Sequence, residues 1–199
     1  MSVVRTREQQ RRATVRALLD ATVDSLVEVG FAATTTRAVA VRAGVSQGAL
    51  QHHFSSKAAL VDAAINHAFD KVAADISGEP LAAGSEVDRA SEILDRLWDV
   101  HQGPLFAVVY ELLVLARTHA DTADLTARTA TPLVEATREF AAEALPDHAQ
   151  QDGFGEWVLA ALAAMRGAAM VAAIPGAAAS APGWPALRGM LLAGLPEAT

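Results

Sequence analysis

Apolar residues recur at helical spacing along nearly the whole chain, and the stretches that interrupt the pattern are short and hold glycine or proline. Val15, Leu18, Leu19, Thr22, Leu26 and Val29 form one stripe, which predicts a helix from about Thr6 to Val29 with Gly30 ending it. Thr34, Thr35 and Thr36 open a second, shorter helix to about Arg42, with Val39, Ala40 and Ala43 on its inner side. Gly44 stands where the chain must reverse, since a residue without Cβ takes positive φ at little cost. Ser46 follows as an N-cap, supplying an oxygen to the orphan amides of the next helix. In that helix Val45, Leu50 and Phe54 point one way, leaving Gln47, Gln51 and His52 to face out. Two short helices joined by a glycine turn make a helix-turn-helix.

The periodicity continues beyond it. Leu60, Ala64, Ala68, Val72 and Ile76 line one row of a long helix from about Ser56 to Ile76, with Val61, Ile65 and Phe69 beside them. A break follows at 77–85. Further helices are expected at about Glu86 to His101, Pro104 to His119, Thr122 to Leu145, Gln150 to Ile174 and Pro185 to Leu195. Pro132 falls inside the third of these and should bend it. Segment 104–119 is apolar almost all round, with Phe106, Val109, Leu112, Leu113 and Leu115, which places it at the centre of a domain. The expected fold is all-α with about nine helices.

Composition agrees. Of 199 residues 52% are hydrophobic and only 5% aromatic, so the chain can bury a sizeable core and favours helix over sheet. The net charge of −7 is uneven: residues 1–55 carry seven arginines against four acids, and residues 56–199 carry nine basic against nineteen acidic side chains. A basic head on an acidic body suits docking of one end on phosphates. Arg5, Arg7, Arg11, Arg12 and Arg16 make a phosphate-facing arm at the first helix. The absence of cysteine removes disulfides and thiolate metal sites. The amino-terminal residues lack the unbroken apolar core of a secretory signal, and the alanine-rich stretch 157–182 has Arg166 in its middle, so no membrane association and a cytoplasmic location are expected.

Residues 30–60 resemble the DNA-binding segment of the tetracycline-repressor (TetR) family. Phe31, Thr35, Ala40, Ala43, Gly44, Val45, Ser46, Leu50, His53, Phe54, Lys57 and Leu60 stand where that pattern expects them. Gln51 departs from it, replacing a tyrosine; a glutamine still donates to a phosphate or bids for an adenine edge. The resemblance implies a homodimer on double-stranded DNA, with residues 1–55 as the DNA-binding domain and 56–199 as an effector-binding and dimerisation domain. DNA contacts are then expected from Thr35, Thr36, Arg37, Ser46, Gln47, Gly48, Ala49, Gln51, His52, His53 and Lys57. It also implies a pocket for a small hydrophobic effector, for which Trp98, His101, Phe106, Tyr110, Glu111, Arg117, Trp157 and Met165 are the candidates. The dimer surface is expected on the last two helices, at Val158, Leu162, Met165, Ala169, Ala172, Leu187, Met190 and Leu191. No cofactor and no metal are called for.

Two other readings compete. A regulator with the same DNA-binding head could use its body only to dimerise or recruit a protein. Gly44-Val45-Ser46-Gln47-Gly48 also satisfies the Gly-x-Ser-x-Gly elbow of serine hydrolases, but that motif requires a strand before the turn, and here a helix is expected.

Overall fold

In a computed structural model, residues 6–81 and 83–198 are described, apart from the side chains of Ser77 and Asp121; Arg5 of the proposed arm lies outside them. The described residues form nine α-helices, two short 3-10 turns and no strand. The helices are α1 (Arg7–Ala33), α2 (Thr36–Arg42), α3 (Gln47–His53), α4 (Lys57–Gly78), α5 (Glu86–Gln102), α6 (Pro104–Ala116), α7 (Ala120–Ala144), α8 (Phe154–Ala172) and α9 (Trp184–Ala193). The 3-10 turns are His148–Gln150 and Ala178–Ser180.

Packing divides the chain into two compact units, Met1–Lys71 with Ala107–Thr129, and Val72–Phe106 with Ala130–Thr199. In the first, α1 starts with a reciprocal cap between Thr6 and Gln9 and is broken at Gly30, whose φ of 77° and ψ of 174° suit glycine alone. Leu18, Ala21, Val39, Ala40, Leu50 and Leu60 form the core behind the helix-turn-helix, with Val45 and Phe54 packed on its edge. Val29, expected on the inner stripe of α1, is 53% exposed; the buried row stops at Leu26, one turn before the break.

In the second unit, α5, α8 and α9 supply most of a core that includes Ile93, Leu94, Trp157, Leu162, Met165, Leu187 and Leu191. Arg96 fixes the carboxyl end of α4: its guanidinium donates to the carbonyls of Ile76 (2.8 Å), Glu79 (2.7 Å) and Pro80 (3.0 Å) and to Glu92 (2.5 Å). Glu86, at the start of α5, reaches across to accept from the amides of Asp147 and His148 at 3.2 Å. Helix α8 starts at Phe154 rather than near Gln150, because Gly153 sits in the left-handed region (φ 87°) and separates it from the preceding 3-10 turn. Helix α8 has the length and composition to cross a membrane, yet Trp157, Val158, Ala161, Leu162, Met165, Ala168 and Ala169 on it are buried in this core. Helix α7 continues through Pro132 to Ala144. Helix α6 is less enclosed than its composition implied, since Val114 is 56% exposed and Arg117 just beyond it is exposed too.

Candidate nucleic-acid interface

The turn between α2 and α3 is built as its residues require. Gly44 takes φ 68°, its amide closes on the Val41 carbonyl at 3.1 Å, and the Ser46 hydroxyl accepts from the Ala49 amide at 3.1 Å. Thr35 caps α2 in the same way, accepting from the Ala38 amide at 3.2 Å. Ser46 therefore lies between two helices, with its oxygen committed to a cap, and a nucleophile elbow has no strand to stand on here.

Leu50 is 1% exposed and ties α3 to the core, while Ser46, Gly48, Gln51 and His52 are exposed and Ala49 and His53 half-exposed on the other side. Thr35 and Arg37 at the start of α2 are exposed beside them. Gln47 differs from the expectation of an outward reader: it is half-buried, and its side-chain amide donates to the Thr36 hydroxyl at 3.2 Å, so it joins α2 to α3. The His52 and His53 rings meet edge to face, 5.4 Å between centroids. Burial, then the neighbouring charges of His52 and Arg11, hold His53 below the usual histidine value. Arg11 is thus near enough to His53 for its charge to be felt there. Arg42, by contrast, is paired with Glu28.

Lys57 is turned inward. Its ammonium donates to the Phe31 carbonyl at 2.5 Å and lies over the Phe31 ring, 4.4 Å from the centroid. Burial pushes it below the usual lysine value, while the charge of Glu111 pulls the other way. Glu111, placed by sequence among pocket residues, has its carboxylate on the Phe31 amide at 2.9 and 3.1 Å. Sequence reasoning missed this contact because residues 80 apart carry no periodic signal. It also missed a groove of about 270 Å³ on α1 and α4, lined by Glu8, Arg11, Arg12, Val15, Arg16, Leu19 and His67. At its edge Asp20 accepts from His67 (3.1 Å) and Lys71 (2.7 Å).

The remaining pocket candidates fall in both units. In the second, His101 is 3% exposed, donates from Nδ1 to the Leu97 carbonyl at 2.7 Å and packs on Phe106 at 4.2 Å between centroids. Burial drives it down to about 4, so it is neutral at neutral pH. Trp98 stacks on Trp184, Trp157 donates its indole N–H to the Leu191 carbonyl at 2.8 Å, and Met165 is fully buried. In the first unit Tyr110 is buried and Arg117 exposed.

The expected dimer stripe needs revision on geometry. Val158, Leu162, Met165, Ala169, Leu187 and Leu191 are buried within their own chain. Only Ala172 and Met190 of that set are exposed, Met190 at 64%. The outward residues of α8 are instead Leu159, Ala160, Ala163 and Gly167.

A capped, glycine-turned helix pair with a buried anchor row behind an exposed polar row, leading into an all-helical body, defines a helix-turn-helix protein. The sequence profile of bacterial regulatory proteins of the tetR family matches residues 18–64. An uncharacterized HTH-type transcriptional regulator of Mycobacterium tuberculosis is 33% identical over 116 residues, 58% of this chain and 60% of that protein, so the match spans about three fifths of the relative's length. The HTH-type transcriptional repressor KstR of Mycolicibacterium smegmatis is 34% identical over 90 residues, 45% of this chain and 44% of its own length. A solved transcriptional regulator from Rhodococcus sp. RHA1 shares 25% identity with a TM-score of 0.70, covering 93% of this chain and 99% of that one. Residues 18–64 thus belong to the TetR family of bacterial regulatory proteins, and the all-helical chain around them has a TetR-like fold.

Proposed function

We propose that the protein is a cytoplasmic transcriptional regulator that binds near-palindromic double-stranded DNA as a homodimer. The observation that carries this reading is the division of α3 into a buried side at Leu50 and an exposed side at Gly48, Gln51 and His52. Such a helix can enter a major groove rigidly, with Gln51 and His52 at base edges and Thr35, Arg37 and the α1 arginines on phosphates. Residues 1–55 are the reading head and residues 56–199 the sensing and pairing body. Two heads related by a twofold axis read half-sites about 34–36 Å apart.

The pairing surface we propose is the outward face of α8 and α9, from Leu159, Ala160, Ala163, Gly167 and Met190, with small residues that let helices approach closely. The body takes a small, largely hydrophobic effector through the aromatic and apolar set that includes Trp98, His101, Phe106, Trp157 and Met165. Neutral His101 supplies one polar contact there. Repression is the expected sign, as the name of KstR states for that relative.

Selection of duplexes from a random pool by the full-length protein, followed by gel retardation and a screen for compounds that release the selected duplex, tests this. A symmetric selected sequence and at least one releasing compound are expected. Failure to hold any duplex in dilute buffer sinks the DNA-binding reading, and selected DNA that no hydrophobic compound releases sinks the effector.

A further inference from the structure

The break in α1 leaves one residue held at both of its backbone polar groups. Gly30 leaves the helical path, so the Phe31 amide begins a new turn with no carbonyl behind it to receive its proton. The two Glu111 carboxylate oxygens take it, at 2.9 and 3.1 Å, while the carbonyl of the same residue accepts from Lys57 at 2.5 Å. A Cβ on residue 30 would stand 3.0 and 3.2 Å from those carboxylate oxygens, so the glycine gives the acid its room as well as the backbone its turn.

From this corner the connection to α3 is short. Thr34 closes on the Gly30 carbonyl through its amide (3.2 Å) and hydroxyl (2.7 Å), Thr35 caps α2, and Thr36 receives the Gln47 amide at the head of α3. We infer that Glu111 is a positioning residue for DNA reading: its carboxylate sets the α1–α2 corner and hence the aim of the Gln51 and His52 row. The inference rests on the DNA-binding reading above and deepens it. It also gives the one acid of α6 a job toward the reading head, so a shift of α6 is felt at Phe31 through a charged hydrogen bond.

The test uses the full chain, labelled for amide exchange, and the duplex that the wild type selects from a random pool. Glu111→Ala should speed exchange of the Phe31 amide and weaken duplex binding, each about tenfold, with helical content retained. Glu111→Gln keeps one acceptor oxygen without the charge and should fall between alanine and wild type on both measures, a graded rescue that general destabilisation would not give. Faster exchange with undiminished affinity would mean a local brace only and overturns the inference, as does lost affinity with Phe31 exchange unchanged. Should Glu111→Ala fail to fold, Glu111→Gln decides alone by the same two readouts. A wild type that holds no duplex overturns the DNA-binding reading, and with it the aiming of α3, whereas a defect confined to the variants' behaviour on a duplex the wild type holds bears on the clasp by itself.

Discussion

Trp184 lies flat against Trp98, with 4.7 Å between ring centroids and 3° between planes, and Asp95 holds it there. One carboxylate oxygen accepts the Trp184 indole N–H at 2.6 Å and the other accepts from Arg188 at 2.5 Å, so a single acid joins α5 to α9 twice. Asp95→Ala leaves both donors without their partner. It should cost about 1–2 kcal/mol, kept modest because the pair is part-exposed. A urea titration reads this as a lower midpoint with unchanged slope; a midpoint equal to wild type would show that solvent replaces the carboxylate at no loss.

His101 makes stability depend on pH. Its value in the folded chain is about 4, against 6.5 for an ordinary histidine, so between those limits the unfolded chain binds more protons. Stability from this group is full above pH 6.5, falls as pH drops toward 4, and the loss is complete below that, at most about 3 kcal/mol. His101→Gln keeps a donor for the Leu97 carbonyl but does not titrate. The difference between the two proteins in denaturant midpoint should therefore narrow as pH falls from 6.5 to 4; parallel profiles would mean that His101 is charged, or solvated, in the fold.

Reading and gripping of DNA should separate by residue. Gln51→Ala removes an exposed side chain from the base-facing row and should relax preference at one position of the selected sequence, losing about 1–3 kcal/mol of discrimination. Arg37→Ala should weaken selected and random duplexes alike and lower the salt slope by about one. Binding isotherms across a salt series distinguish them. Equal loss of specificity from both substitutions would refute the division.

Leu159 is 46% exposed on α8 and Met190 64% exposed on α9, while their inward neighbours Val158 and Leu191 are buried. Leu159→Asp together with Met190→Asp should halve the sedimenting mass and leave helical content unchanged, because charges placed on an apolar interface core are costly to desolvate. A double variant that sediments like wild type would place the pairing surface elsewhere.

Much of the head was legible because its causes are local. Gly44, Ser46 and Leu50 act within a few residues of themselves, and the turn, the cap and the anchor all lie where the pattern put them. What escaped was set at a distance. Glu111 looked like a pocket acid because it interrupts an apolar helix, and only the fold brings it to Phe31. On α8 periodicity selected the most apolar stripe, with Val158, Leu162 and Met165, and in a helix with two apolar faces the bulkier one goes to its own chain's core. Helical angle alone turns Gln47 outward, yet its length lets it reach back to Thr36. The start of α8 is not legible because Gly153 gives no sign in the sequence of its left-handed dihedral.

The four acceptors around Arg96 give the long fourth helix a fixed terminus. A rod left loose at its tip dissipates a push by unravelling a turn. One clamped by a guanidinium at Ile76, Glu79 and Pro80 keeps its last turn wound.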